Sequence, residues 1–422
     1  MAQSEGRRWR WRWRGKLEEV VEGEQAVSPR FRPPSCQRFQ PLSFGLPESM
    51  GKCSLCFAFV VALLAALAGW LGSAPIPEAR LFATLIPLAN GYLPPPLFGA
   101  YARSPVPEVP DDLQPASRPA GEMFIQLPGG TAMPASGLGL CCRPTAYDDE
   151  SVTRSVLWFL LKGGRHLDTA QMYLNHKAVG RGIALAMARG VPREEIFVTT
   201  KIPPRFYAGQ APAAAVAESL EELGLEYVDL LLLHHPYATA GFLGPCANGT
   251  AAECRVNAWT ILSSFRARGV IKELGVSNFG VKAIEELQSL RLAPVAVNQI
   301  QYNPWALDWQ QEVVDYCVNN GVGITAWAPF QGTMMQNAQA FTVETLTKIA
   351  AAKGKTVPQI MLRWALQKKV CVIPGTGNPS HMSENLAVYE FSLSDEEMAL
   401  IDTLRTDPKV KNFVAMGFEK TE

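Results

Sequence analysis

Four side chains in this sequence have the types and the spacing to move a proton onto a carbonyl oxygen. Asp168 closes the apolar run RHLDT, Lys201 closes IFVTTK and His234 closes VDLLLLH, so an acid, an amine and an imidazole recur at intervals of 33 residues. Tyr173 stands five residues after Asp168, in the turn that follows. A phenol with its ordinary pKa near 10 is a poor acid at neutral pH. A neighbouring ammonium favours the phenolate and is expected to lower that value, while a carboxylate keeps the ammonium charged and in place. An imidazole at the same rim would hydrogen-bond and orient the carbonyl. No side chain donates hydride, so such a site needs a redox cofactor. Each residue taken singly has a plainer explanation: Asp168 as a helix cap, Tyr173 as a surface aromatic, Lys201 as a solvated strand end and His234 as a core histidine. Their periodicity is what argues for chemistry.

A 33-residue interval is about one strand plus one helix, and the rest of the chain repeats that unit. Eight short apolar runs lie between residues 135 and 374: ASGLGL, RHLDT, IFVTTK, VDLLLLH, IKELGVS, VAVNQI, GITAW and VCVIP. Between them lie segments with apolar residues at i, i+3 and i+4, several of them ending in glycine, which reads as amphipathic helices with helix-stop residues. Strands without polar alternation suit a parallel sheet buried on both faces. Eight such units over about 280 residues predict a (β/α)8 barrel, whose active site lies at the C-terminal strand ends. FIQLPGGTAMP, just before the first run, predicts a short β-hairpin turning at Gly-Gly. A doubly wound sheet is the alternative, but it ordinarily carries a Gly-rich dinucleotide loop after its first strand. GLGL at 137–140 runs into CCRP instead of a helix start.

The ordered set GGRHLDTAQMYLNHKAVG, VTTK, LLLLHHP, GVSNF, VNQIQYNP and VIPGT resembles the aldo-keto reductase family over about residues 122–405. The resemblance implies a barrel that binds NADP(H) without a Rossmann domain and reduces an aldehyde or ketone. Its tyrosine acid and Asp, Lys and His partners fall on Tyr173, Asp168, Lys201 and His234. Ser277, Asn278 and Gln299 match the positions that hold the nicotinamide carboxamide. Trp327 stands where the family usually has a tyrosine stacked on the nicotinamide, and an indole also stacks. Many NADPH-preferring members grip the adenosine 2′-phosphate with a lysine and an arginine; here those positions are Gly375 and His381. A bidentate clamp is therefore missing, leaving His381 as a weaker, pH-dependent substitute, Thr376, Asn378 and Asn385 as hydrogen-bonding candidates, and NAD(H) as an open alternative to NADP(H). His235 occupies a place that often lines the substrate pocket. Small aldehydes, sugars and ketoacyl compounds all remain compatible.

Composition narrows the class further. The chain has 422 residues, 39 basic and 39 acidic, and 48% apolar residues, which suits a globular enzyme and not a nucleic-acid binder. Nine cysteines form no paired CxxC pattern, so no metal site is expected. The first 120 residues differ from the remainder. Residues 1–49 carry RRWRWRWRGK and read as a disordered or gene-model extension, with Met50 as an alternative start. Residues 50–74 contain the uncharged run 55–72 and read as a signal peptide or a transmembrane signal anchor. Residues 75–120 are proline-rich and read as a linker, 121–405 as the barrel and 406–422 as a tail. Cys246, Cys254 and the sequon Asn248-Gly249-Thr250 fit an oxidising lumen, so the expected location is the secretory pathway or a membrane anchor, with a bipartite plastid presequence as the rival. A carbonyl substrate and a monomer are expected. The competing reading is a non-catalytic subunit of the same fold that binds NADP(H) and attaches to a membrane complex.

Overall fold

A computed structural model describes residues 106–142, 144–146, 148–236, 249–330 and 341–407. The apolar run 55–72, Asn248, Cys246 and the tail beyond 407 lie outside the described residues.

Every one of the eight apolar runs forms a strand. They are β3 (Leu138–Gly139), β4 (His166–Asp168), β5 (Phe197–Ile202), β6 (Val228–Leu233), β7 (Ile271–Ser277), β8 (Val297–Gln301), β9 (Gly323–Trp327) and β10 (Val370–Val372). They pair in sequence order as one parallel eight-stranded sheet. Its two ends meet at a parallel bridge between Ser136 and Val372. There Gly137 N–H donates to Val372 O at 2.8 Å and Val372 N–H donates to Ala135 O at 2.9 Å. The curled sheet is thus that of a (β/α)8 barrel. All residues of β5 and β6 are buried, as a strand covered on both faces requires.

The predicted hairpin is present. β1 (Phe124–Gln126) pairs antiparallel with β2 (Ala132–Pro134). Its Leu127 and Met133 enter the core beside Phe197, Leu230, Leu232, Val297 and Cys371. A Cβ on Gly323, the first residue of β9, would lie 3.2 Å from the side chains of Ile125 and Leu127. The hairpin therefore plugs the N-terminal end of the strands, and the C-terminal ends are left for chemistry.

Around the sheet lie α1 (Asp149–Leu161), α2 (His176–Ala188), α3 (Ala211–Leu223), α4 (Ala251–Ala267), α5 (Val281–Ser289), α6 (Asp308–Asn319), α7 (Glu344–Lys353), α8 (Val357–Gln367), α9 (Pro379–Leu386) and α10 (Asp395–Asp402). Their ends are fixed locally. Thr250 with Glu253, Thr356 with Gln359 and Ser394 with Glu397 form reciprocal capping boxes at α4, α8 and α10. Thr250 of the sequon is thus also a helix cap. Glycines set the tight packing of α2: a Cβ on Gly180 would come within 2.4 Å of Leu223 O, and one on Gly182 within 2.6 Å of Val156 Cβ.

The proline-rich stretch is not spacer up to residue 120. From Val106 onward it lies against the barrel as an extended strap. Arg154 Nη1 donates to Val106 O at 3.2 Å and Trp158 Nε1 to Pro107 O at 2.9 Å, both from α1. Arg189 Nη1 donates to Pro110 O at 2.8 Å and Ala116 N–H to Leu161 O at 2.8 Å. The buried Arg165 donates to Ala116 O, Leu160 O and Gly164 O and pairs with Glu195. Val106 is 2% exposed and sits against Gly377, where a Cβ would approach Val106 Cγ2 to 2.9 Å.

Candidate active site

Asp168 ends β4, Lys201 is the penultimate residue of β5 and His234 follows β6, so three successive strands deliver them to one rim. Tyr173 ends a 3-10 turn, Gln171–Tyr173, that is closed by Leu174 in the left-handed region at φ 55°. Gln171 Nε2 ties this turn to Glu218 at 2.6 Å, and Asn175 Nδ2 ties its far side to Leu140 O at 2.9 Å.

All three ammonium protons of Lys201 are committed. Nζ donates to Asp168 Oδ1 at 2.6 Å, to Thr169 O at 3.0 Å and to Tyr173 Oη at 3.2 Å. The side chains of Lys201 and Asp168 are 0% and 2% exposed. A solvated strand end is therefore excluded for Lys201, and a helix cap for Asp168. The other carboxylate oxygen, Oδ2, accepts Gln299 Nε2 at 2.7 Å. The Tyr173 and His234 rings meet edge to face at 5.8 Å between centroids. Because the phenol oxygen accepts from Lys201, its own proton stays free to be given elsewhere.

The electrostatics correct one expectation. The pKa of Tyr173 is raised, not lowered: burial pushes it up, and the opposing pull of Lys201 does not reverse this. Removing water costs the phenolate more than the ammonium returns at rest. Lys201 itself is pushed down by burial, but the charges and hydrogen bonds of Asp168 and Tyr173 outweigh this and hold it above its ordinary value. His234 lies well below its ordinary value, first through burial and then through Lys201, His235 and Arg205. At neutral pH the trio beside Asp168 is thus a neutral phenol, an ammonium and a neutral imidazole. The buried Nδ1 of His234 has no hydrogen-bond partner among the described residues.

The residues assigned to the nicotinamide form one network along the ends of β7, β8 and β9. Ser277 Oγ donates to Gln299 O at 2.9 Å, and Asn278 Nδ2 donates to Ser277 Oγ and to His234 O, each at 3.1 Å. Trp327 Nε1 donates to Asn278 Oδ1 at 3.0 Å. Asn278 itself sits at φ 63°, a region that asparagine tolerates better than most residues. Its side chain therefore braces the Trp327 indole and the end of β6. Gln299 does more than expected, since its amide reaches across the barrel to the carboxylate that anchors Lys201.

Gln301 was missed by the motif comparison. It is 4% exposed, and neither its amide nitrogen nor its amide oxygen has a partner among the described residues. It lies two residues beyond Gln299 on β8, hence on the same inward face, and in register with Trp327. Leaving a buried amide unsatisfied is costly, so the position suits a polar ligand. Strand parity from Gln299 was the signal that could have found it. An indole braced for stacking, with an unsatisfied amide beside it, fits a nicotinamide group.

The outer candidates are placed differently. Gly375 and His381 are exposed, and Thr376 Oγ1 lies 3.5 Å from His381 Nδ1 while accepting Asn378 N–H at 3.0 Å. Asn385 is buried on α9. His235 is buried next to His234, its carbonyl accepting Tyr207 Oη at 3.1 Å.

This chain has known counterparts in sequence and in fold. The family model for the aldo/keto reductase family matches residues 130–406. An aldo-keto reductase of Bombyx mori, AKR2E4, is 35% identical over 296 residues, covering 68% of this chain and 93% of that protein. Glyoxal reductase of Bacillus subtilis is 35% identical over 288 residues, covering 68% of this chain and 94% of that protein. The solved structure of the Bombyx mori enzyme in complex with NADP aligns with a TM-score of 0.60 at 33% identity, over 68% of this chain and 93% of that one. The chain belongs to the aldo/keto reductase family and is an oxidoreductase.

Proposed function

We propose that this protein reduces an aldehyde or ketone to the alcohol with NADP(H), and that Tyr173 is the proton donor. The observation that carries the reading is the Lys201 ammonium, fully bonded to Asp168, Thr169 and Tyr173, which leaves the phenol proton as the only one of that cluster free to leave. The bound nicotinamide would supply hydride, with Trp327 beneath its ring and Ser277, Asn278, Gln299 and Gln301 around its carboxamide. The neutral His234 orients the carbonyl oxygen by hydrogen bonding. Tyr173 Oη gives its proton to that oxygen as charge develops there. The phenolate left behind gains the full attraction of Lys201 3.2 Å away, so the ammonium acts on the product side of the transfer. Asp168 and Gln299 hold the ammonium in place throughout.

NADP(H) is preferred on the evidence of relatives solved with NADP or NADPH, although Gly375 and His381 lack the charge of a strong 2′-phosphate grip. Glyoxal reductase among the relatives supports a small dicarbonyl or aldehyde as the first substrates to try. The test is NADPH oxidation against an aldehyde panel by the native protein and by Tyr173→Phe; equal rates for the two defeat the assignment.

For location, the reading is entry into the secretory pathway. It is supported by the signal-like run in the sequence and by Cys254, which is disulfide-bonded. An unchanged mobility of the cell-expressed protein after deglycosylation would count against it.

A further inference from the structure

Two sulfurs stand at the rim and take no part in the reaction above. Cys141 and Cys142 follow β3 directly, are half-buried, and are joined to each other by a disulfide. Bridging adjacent residues closes a ring through their shared peptide bond, so it fixes the backbone between them. Cys142 sits at φ 62°, a left-handed conformation that a residue with a side chain rarely keeps unless something holds it. The other cysteines among the described residues are poor competitors for reagents. Cys254 is already bonded. Cys317 is buried, which pushes its thiol up to about 12, and burial raises Cys371 as well.

The position of the pair gives it leverage. Leu140, the residue before it, donates its N–H to Asp168 O at 2.9 Å and accepts Asn175 Nδ2 at 2.9 Å. Asn175 Oδ1 accepts Thr169 Oγ1 at 2.8 Å, and Thr169 O accepts Lys201 Nζ at 3.0 Å. A short chain of bonded groups therefore runs from the sulfurs to the backbone of Asp168 and to the ammonium that serves Tyr173.

We infer that Cys141–Cys142 is a thiol–disulfide exchange site for small disulfides and dithiols, and that its state sets the geometry of the Asp168–Lys201–Tyr173 cluster. In the oxidising direction the two S–H bonds of the pair break and its S–S bond forms, while the small disulfide takes both protons and both electrons and leaves as two thiols. A dithiol reverses every part of this: it is oxidised to its cyclic disulfide and the protein pair regains two S–H bonds. Opening the ring frees Cys142 to leave the left-handed region, which pulls on Leu140 and so on the two residues it holds. The effect on turnover rests on the carbonyl-reductase reading; the exchange itself does not.

The experiment equilibrates the full-length protein with reduced and oxidised dithiothreitol at several ratios, then measures the mass of the peptide carrying 141–142, hydrogen exchange over residues 166–175, and kcat/KM. The expected result is an interconversion worth two hydrogens in mass, a matching change in exchange protection over 166–175, and a change in kcat/KM of roughly tenfold, since shifts of about 1 Å at a reacting group cost up to about a hundredfold. Cys142→Ser should lack all three responses. A pair that stays as two thiols in excess oxidised reagent overturns the proposal. So does complete interconversion with unchanged exchange over 166–175. If the mass and exchange responses appear in a protein that reduces no carbonyl, the exchange site stands and the carbonyl-reductase reading falls.

Discussion

At the β4–β5 rim, both Asp168 oxygens and all three Lys201 protons are used, at 2.6 to 3.2 Å and with almost no exposure. Along Gly375–His381 the residues are exposed or half-exposed, and Thr376 Oγ1 and His381 Nδ1 are 3.5 Å apart. The first region is held tightly, because swinging either side chain away leaves a buried charge without a partner. The second can exchange residues at little cost to folding. A change of cofactor grip is therefore cheap for this chain, and a change of proton chemistry is not.

That contrast is broken most sharply at the rim. Tyr173→Phe removes the donated proton and one of the three acceptors of Lys201 but leaves the Asp168 ion pair and the ring packing, so kcat for reduction should fall by about 10²- to 10⁴-fold with the fold retained; circular dichroism together with turnover checks both halves. Lys201→Met should lower kcat as well and cost about 3–5 kcal/mol of stability, because Asp168 is left buried and unpaired. A urea midpoint equal to that of the native protein would falsify the tight-rim description. His166 offers a pH handle below the rim. Burial lowers its pKa to about 4 from 6.5, so between those values the unfolded chain takes up a proton that the folded one refuses. Stability therefore falls as pH drops through that window, by about 3 kcal/mol from this residue. Urea midpoints at pH 7 and pH 4 should differ accordingly, and less so in His166→Gln. His234, already neutral and depressed, should give no inflection in kcat/KM near pH 6.5, and the raised Tyr173 should keep reduction active past pH 9. At the outer end, His381→Arg should sharpen NADPH over NADH by about tenfold, through a bidentate contact, with kcat unchanged. A preference that ignores both His381→Arg and His381→Ala means the grip lies elsewhere.

The eight strands, the hairpin and the meeting of Asp168, Tyr173, Lys201 and His234 at one rim were legible because each is written in a local signal: continuous apolar runs, a Gly-Gly turn, a 33-residue beat. What the sequence hid was set by distance along the chain. Gln299 and Asp168 are 131 residues apart, so nothing local says that one amide serves the other. The same holds for the bond from Trp327 to Asn278, 49 residues apart. The direction of the Tyr173 shift was misjudged because a motif names the ammonium but not the amount of water removed. Proline-rich composition read as a linker, but an extended chain looks the same whether it hangs free or is docked. Its anchors, Arg154, Trp158 and Arg165, are ordinary helix and loop residues until they are seen to hold it.

The docked strap also gives the protein a load path. Within the described residues, a pull toward the N-terminus would load Val106 and the α1 side chains Arg154 and Trp158 before the Arg165 cluster at Ala116. Val106, the outermost described residue of the strap, rests on Gly377, in the segment proposed to hold the far end of the nucleotide. A pull too weak to disturb the barrel would thus be felt there first, as a loosened cofactor grip well before any loss of fold.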